Sequence, residues 1–154
     1  MSVAFRRESD EEHKEPKFDQ PIPPGPNLVT VRGRRLIEDA VAGIDAQLAG
    51  TPDAETRERL SRDLRYWRLR LATAQVAAPV PAGQAGFGST VRFRLNGTER
   101  TITIVGSDEA DPATGLIAFT APLAKALMQA EVGERVDFQG ASEAIEVLAI
   151  EHCI

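Results

Sequence analysis

The sequence predicts an α+β protein in which an antiparallel helical hairpin precedes a small antiparallel sheet domain with one short helix. Three observations carry that prediction. Apolar residues recur at helical spacing from Ile37 to Ala74, strict alternation replaces that rhythm from Val91 onward, and a stretch rich in Pro and Gly separates the two patterns. The expected boundaries are a tail over 1–27, a hairpin or coiled coil over 28–78, a linker over 79–88 and a C-terminal domain over 89–154.

Residues 1–27 mix 4 basic and 6 acidic side chains with Pro21, Pro23, Pro24 and Pro26. The apolar residues Val3, Phe5, Phe18 and Ile22 keep no period. Such a segment cannot bury enough apolar area to offset its ordering entropy, so a disordered tail is expected. Phe5 or Phe18 would be its anchor on a partner.

Thr30 suits the N-cap of a first helix over roughly 30–49, in which Ile37, Val41, Ile44 and Leu48 form the apolar seam. Gly33 and Gly43 weaken that helix, which therefore depends on a partner. A second seam follows in Leu60, Leu64, Trp67, Leu71 and Ala74, with the rhythm of helices packed side by side. Between them, Gly50 fits a C′ position, Thr51 an N-cap and Pro52 an N1, while Asp53 and Glu55 suit the positive end of a helix dipole. The second helix carries Arg57, Arg59, Arg62, Arg65, Arg68 and Arg70. They read either as a solvated face with local pairs such as Glu58–Arg62, or as a guanidinium stripe for phosphates or an acidic surface. Tyr66 and Trp67 read as packing residues.

In the C-terminal part Val91, Phe93 and Leu95 alternate with Arg92, Arg94 and Asn96, and Asn96-Gly97 is a strong hairpin turn into Thr101–Val105. A third strand is expected over Gly115–Thr120, a helix with Pro at N1 over Pro122–Met128, and further strands over Arg135–Gln139 and Ala144–Ile150. Asp108, Glu109 and Asp111 read as a solvated acidic turn before Pro112.

Composition excludes several classes of function. The 154 residues hold 18 Lys+Arg and 23 Asp+Glu, a formal charge of −5, which argues against a basic nucleic-acid coat. That balance hides a split: 28–78 holds 9 basic and 7 acidic residues, 79–154 only 5 and 10. No apolar run approaches the ~20 residues of a membrane span, and the amino terminus has no apolar signal region; a cytoplasmic protein without a membrane partner is expected. Cys153 is the single cysteine, and His13 and His152 are the only histidines, so neither a disulfide, a metal site nor a Ser/His/Asp constellation is expected.

The run Ile104-Val-Gly-Ser-Asp-Glu-Ala-Asp-Pro-Ala-Thr-Gly-Leu-Ile, with Ala121-Pro-Leu-Ala-Lys-Ala-Leu-Met and Glu131-Val-Gly-Glu, closely resembles the C-terminal domain of the bacterial GreA/GreB transcript cleavage factors. Leu28-Val29-Thr30 and Arg65-Tyr66 are similar to the GreB branch, and the likeness covers roughly residues 28–151. The resemblance implies an FKBP-like domain that docks on the rim of the RNA polymerase secondary channel while a coiled coil enters it. It implies docking through Thr120, Ala121, Pro122 and Lys125. Arg57, Arg62, Arg65 and Arg68 form the basic face of the arm, in reach of nascent RNA. In the family, acidic residues at the tip share a Mg²⁺ with the polymerase active site, which itself cleaves the RNA.

This chain departs from the family pattern at two places. Gly50-Thr-Pro-Asp-Ala-Glu-Thr occupies the bend where the family has an acidic Ser-Glu-Asn motif, leaving Asp53 and Glu55 as the tip candidates, and the arms are shorter than the family's. Thr120-Ala121-Pro122 keeps the family's docking proline and loses a hydroxyl. The expectation is a monomeric polymerase-binding regulator with no catalysis of its own and no cofactor other than a Mg²⁺ shared with the polymerase; with only Asp53 and Glu55 at a short tip, channel occupancy is favoured over cleavage stimulation. The alternatives are an FKBP-like prolyl isomerase, for which Phe87, Phe93, Phe119 and Phe138 would have to line a pocket, and a general protein-interaction module.

Overall fold

A computed structural model of the chain describes residues 19–50 and 53–152. A two-residue strand, β1 (Leu28–Val29), leads into helix α1 (Val31–Gly50), which turns back as α2 (Ala54–Thr73). Thr30 caps α1 as expected, its Oγ1 accepting the Gly33 amide at 2.9 Å. Every residue of the two apolar seams, from Ile37 through Leu48 and from Leu60 through Ala74, is buried or half-buried. Arg68 Nη2 meets Asp45 Oδ1 at 3.2 Å across the two helices. At about 1.5 Å per residue each arm is about 30 Å long.

Strand β2 (Gln75–Val76) then pairs in parallel with β1. The next elements are β3 (Ser89–Leu95), β4 (Thr98–Val105), a 3₁₀ turn over Pro112–Thr114, β5 (Leu116–Ala118), α3 (Pro122–Leu127), β6 (Arg135–Phe138) and β7 (Ala141–His152). The second sheet has the order β5-β4-β3-β7-β6. Its inner face buries Val91, Phe93, Ile102, Ile104, Ile145 and Val147 against Ala124 and Leu127 of α3. The outer face is charged, and Arg94 forks between Glu99 and Glu146 at 3.3 Å to each. Asn96 and Gly97 both take positive φ, 52° and 76°, as the tight turn between β3 and β4 requires.

Two expectations need correction. The sheet is mixed: β5 runs parallel to β4, pairing Thr103 with Leu116 and Val105 with Ala118. The physical reason is the connection over 106–115, which leaves the sheet and returns far enough back for a parallel pairing that no two-residue turn could make. The ordered fold also starts before residue 28. Asn27 is buried, and Asp19 Oδ1 meets Arg65 Nη2 at 2.9 Å. The rest of the expected tail, with Phe5 and Phe18, lies outside the described residues, as does Cys153.

Candidate functional site: a tip, a docking turn and a buried joint

At the far end of the hairpin, Asp53 is the N-cap of α2. Its Oδ2 accepts the Thr56 amide at 3.0 Å and the Thr56 hydroxyl at 2.6 Å. The hydroxyl first, and the amide second, hold the carboxyl below its usual range. The expected cap, Thr51 with Pro52 at N1, lies outside the described residues; the helix starts two residues later, because the Asp53 carboxylate takes the Thr56 amide. Glu55 stands exposed in the first turn. The pair alone makes no complete Mg²⁺ site. One carboxylate is bonded to the end of its own helix, and among the described residues no three His, Cys, Asp or Glu side chains gather as metal ligands.

The four expected docking residues do come together, on the first turn of α3 and the residues before it. Ala121 is its N-cap, with backbone oxygen accepting the Lys125 amide at 3.0 Å, and Thr120, Pro122 and Lys125 are exposed. On the hairpin, three expected basic residues are engaged in ion pairs: Arg62 with Glu58 at 3.5 Å, Arg65 with Asp19, and Arg68 with Asp45. Arg57 is exposed near the tip. Such solvated pairs are worth about 0–1 kcal/mol each and exchange partners readily.

The joint between hairpin and sheet domain is the most heavily built polar cluster. Arg70 Nε donates to Asp108 Oδ2 at 2.6 Å, with side-chain exposures of 3% and 7%. Its Nη2 donates to Asn27 Oδ1 at 2.7 Å, and Asn27 Nδ2 donates back to the Arg70 carbonyl at 2.7 Å. The Tyr66 hydroxyl donates to Asp108 Oδ1. Burial, then this bond to a carboxylate, raises the phenol to about 12. Beside it, Glu109 Oε1 accepts the Thr30 hydroxyl at 2.5 Å, and Oε2 accepts Arg32 Nη1 at 3.2 Å. Every buried side-chain polar atom among the described residues has a partner.

Asp108 and Glu109 are thus no solvated turn, and Arg70 is no part of an exposed stripe. Two glycines make the approach possible. A Cβ on Gly33 would stand 2.8 Å from Glu109 Oε1, and one on Gly106 would run into the Leu28 carbonyl oxygen. The missed signal in the sequence was the spacing of Tyr66, Arg70 and Thr73, a polar stripe beside the apolar seam.

Of the four phenylalanines of the C-terminal part, Phe93 is fully buried, while Phe119 and Phe138 pack on the core. Phe87 meets Phe119 edge to face at 5.5 Å and borders an apolar pocket of about 150 Å³ between β2, the linker and His152.

Fold and joint together define a two-part protein: a helical arm fixed by one buried ion pair and the hydrogen bonds around it to a small mixed-sheet platform. Residues 80–152 match the family described as transcription elongation factor GreA/GreB, C-terminal. The match places this C-terminal domain, residues 80–152, in the GreA/GreB family. Curated relatives agree. It is 36% identical over 99 residues to transcription elongation factor GreB of Neisseria meningitidis, an alignment covering 60% of this chain and 61% of that protein. It is 41% identical over 68 residues to GreA of Bacillus anthracis, covering 42% and 43%. The chain therefore spans about three fifths or less of these relatives' length. Among solved structures, a GreA/GreB factor from Nitrosomonas europaea aligns with 84% of this chain and 100% of its own at 20% identity and a TM-score of 0.41. A likeness this loose carries no argument about how the two parts are set on each other. No helix among the described residues is long and apolar enough to cross a membrane.

Proposed function

We propose that this chain is a Gre-like elongation regulator, acting as a cytoplasmic monomer, that docks on RNA polymerase and sets its hairpin into the secondary channel without stimulating transcript cleavage. The sheet domain docks through Thr120, Pro122 and Lys125. Arg65 and Arg68, whose exposed ion pairs exchange cheaply, give the arm its contact with nascent RNA. The chain supplies no catalysis and no cofactor of its own.

One observation carries the non-cleaving part of this reading. A factor that lends carboxylates to a metal centre needs a cluster of them at the tip, and here the bend offers Asp53 and Glu55 alone, with Asp53 Oδ2 bonded to Thr56 as the cap of α2. The test is a backtracked elongation complex with the chain added and RNA length followed over time. RNA should shorten at the intrinsic rate of the polymerase. Robust shortening that disappears in the Asp53→Ala/Glu55→Ala variant would sink the proposal.

A further inference from the structure

We infer that Asp108 and Glu109 are positioning residues that set the aim of the hairpin, each carboxylate gripping one helix. They are neighbours on the connection between β4 and β5. Asp108 takes α2, one oxygen accepting from Arg70 and the other from Tyr66. Glu109 takes the start of α1, one oxygen accepting from the capping Thr30 and the other from Arg32. All four carboxylate oxygens are engaged, two on each helix.

A hairpin held at one point can pivot; held at one point on each helix, it has a direction. Covalent connection alone would not supply that direction. Between β2 and β3 the chain runs through Pro79, Pro81, Gly83, Gly86 and Gly88 without a helix or a named strand. The short β1–β2 ladder spans only two residue pairs. The lever is long: a tilt of about 10° at the joint moves the end of an arm of about 30 Å by about 5 Å. Thr30 makes the grip specific, because its hydroxyl donates to Glu109 while accepting the Gly33 amide that starts α1. A shift of the carboxylate therefore pulls directly on the helix cap.

The consequence for polymerase rests on the proposed reading of the hairpin as the channel arm. The test does not, because it is made on the free protein. Spin labels are placed at Ala49→Cys, at the end of α1, and at Thr98→Cys, exposed at the start of β4, with Cys153→Ser in the background. The parent should give one narrow distance distribution. Asp108→Asn/Glu109→Ala should broaden it by about 5 Å, the arc computed for a 10° tilt, while the far-ultraviolet spectrum keeps its helix content. A distribution as narrow as the parent's overturns the inference.

Glu109→Ala alone leaves no buried charge behind, since its partner Arg32 is 69% exposed. It carries the test if the double variant does not fold, with smaller broadening expected and an unchanged width again decisive against the inference. Thr30→Ser in the parent, which keeps the hydroxyl, should leave the width unchanged. Broadening there would make the methyl packing of Thr30, not its bond to Glu109, the determinant, and would overturn the inference too.

Discussion

Replacing Arg70 by Met removes the cation from the joint and leaves Asp108 in place. Two side-chain hydrogen bonds vanish, the 2.6 Å bond to Asp108 and the 2.7 Å bond to Asn27. Asp108 keeps only the Tyr66 hydroxyl, at a side-chain exposure of 7%. Leaving a buried carboxylate without its cation costs about 3–5 kcal/mol, whereas a solvated surface pair is worth about 0–1 kcal/mol. Against a total stability of about 5–15 kcal/mol, that is a large share. With a slope of about 2 kcal/mol per molar, the urea midpoint should fall by about 2 M. Circular dichroism at the helix band, read beside Trp67 fluorescence, measures it. The partner variant Arg70→Met/Asp108→Leu removes both charges and should recover at least half of the loss, because the desolvation cost goes with them. A loss below about 1 kcal/mol for Arg70→Met would place this pair among ordinary surface ion pairs and refute the reasoning.

Three further outcomes follow from other parts of the molecule. Tyr66 is the only tyrosine, so absorbance at 295 nm follows it alone, and its midpoint should lie near 12 instead of the ordinary 10. Because the folded value is raised, the phenol's contribution is intact below pH 10 and is lost as pH climbs from 10 toward 12; a midpoint at 10 would mean an unburied phenol. Asp53→Ala should speed hydrogen exchange in the first turn of α2, whereas Asp53→Asn, still a capping residue, should not. Arg94→Ala, at the forked pair on the outer sheet face, should cost under about 1 kcal/mol in the same urea titration, since both its carboxylate partners are solvated.

The hairpin and the strands were legible in the sequence because their signals are local. Ile37 through Leu48 and Leu60 through Leu71 repeat at helical spacing, and every residue of those seams is buried or half-buried. Asn96-Gly97 declares its turn by composition alone, and both residues take positive φ. The direction of β5 was not legible, because it is set by where the 106–115 connection returns, and no periodicity encodes that. The joint was hidden for a related reason. Asp108-Glu109 followed by Asp111-Pro112 has the composition of a solvated turn, and only long-range approach to Thr30, Tyr66 and Arg70 makes it buried. Gly33 looked like a weakness of α1, yet its missing side chain is what admits Glu109. At the tip the local rules missed by two residues: Thr51 before Pro52 has the pattern of a cap, yet Asp53 takes that place because its carboxylate reaches the Thr56 amide and hydroxyl.

The most direct measurement of the central claim is a competition on RNA polymerase. A backtracked complex is supplied with a fixed amount of a full-length cleavage-competent Gre factor, and the present chain is titrated in while RNA shortening is followed. A channel occupant without tip chemistry predicts that stimulated cleavage falls toward the intrinsic rate, with a half-point that rises in proportion to the amount of competing factor. Cleavage that stays constant across the titration, or increases with it, would contradict the account.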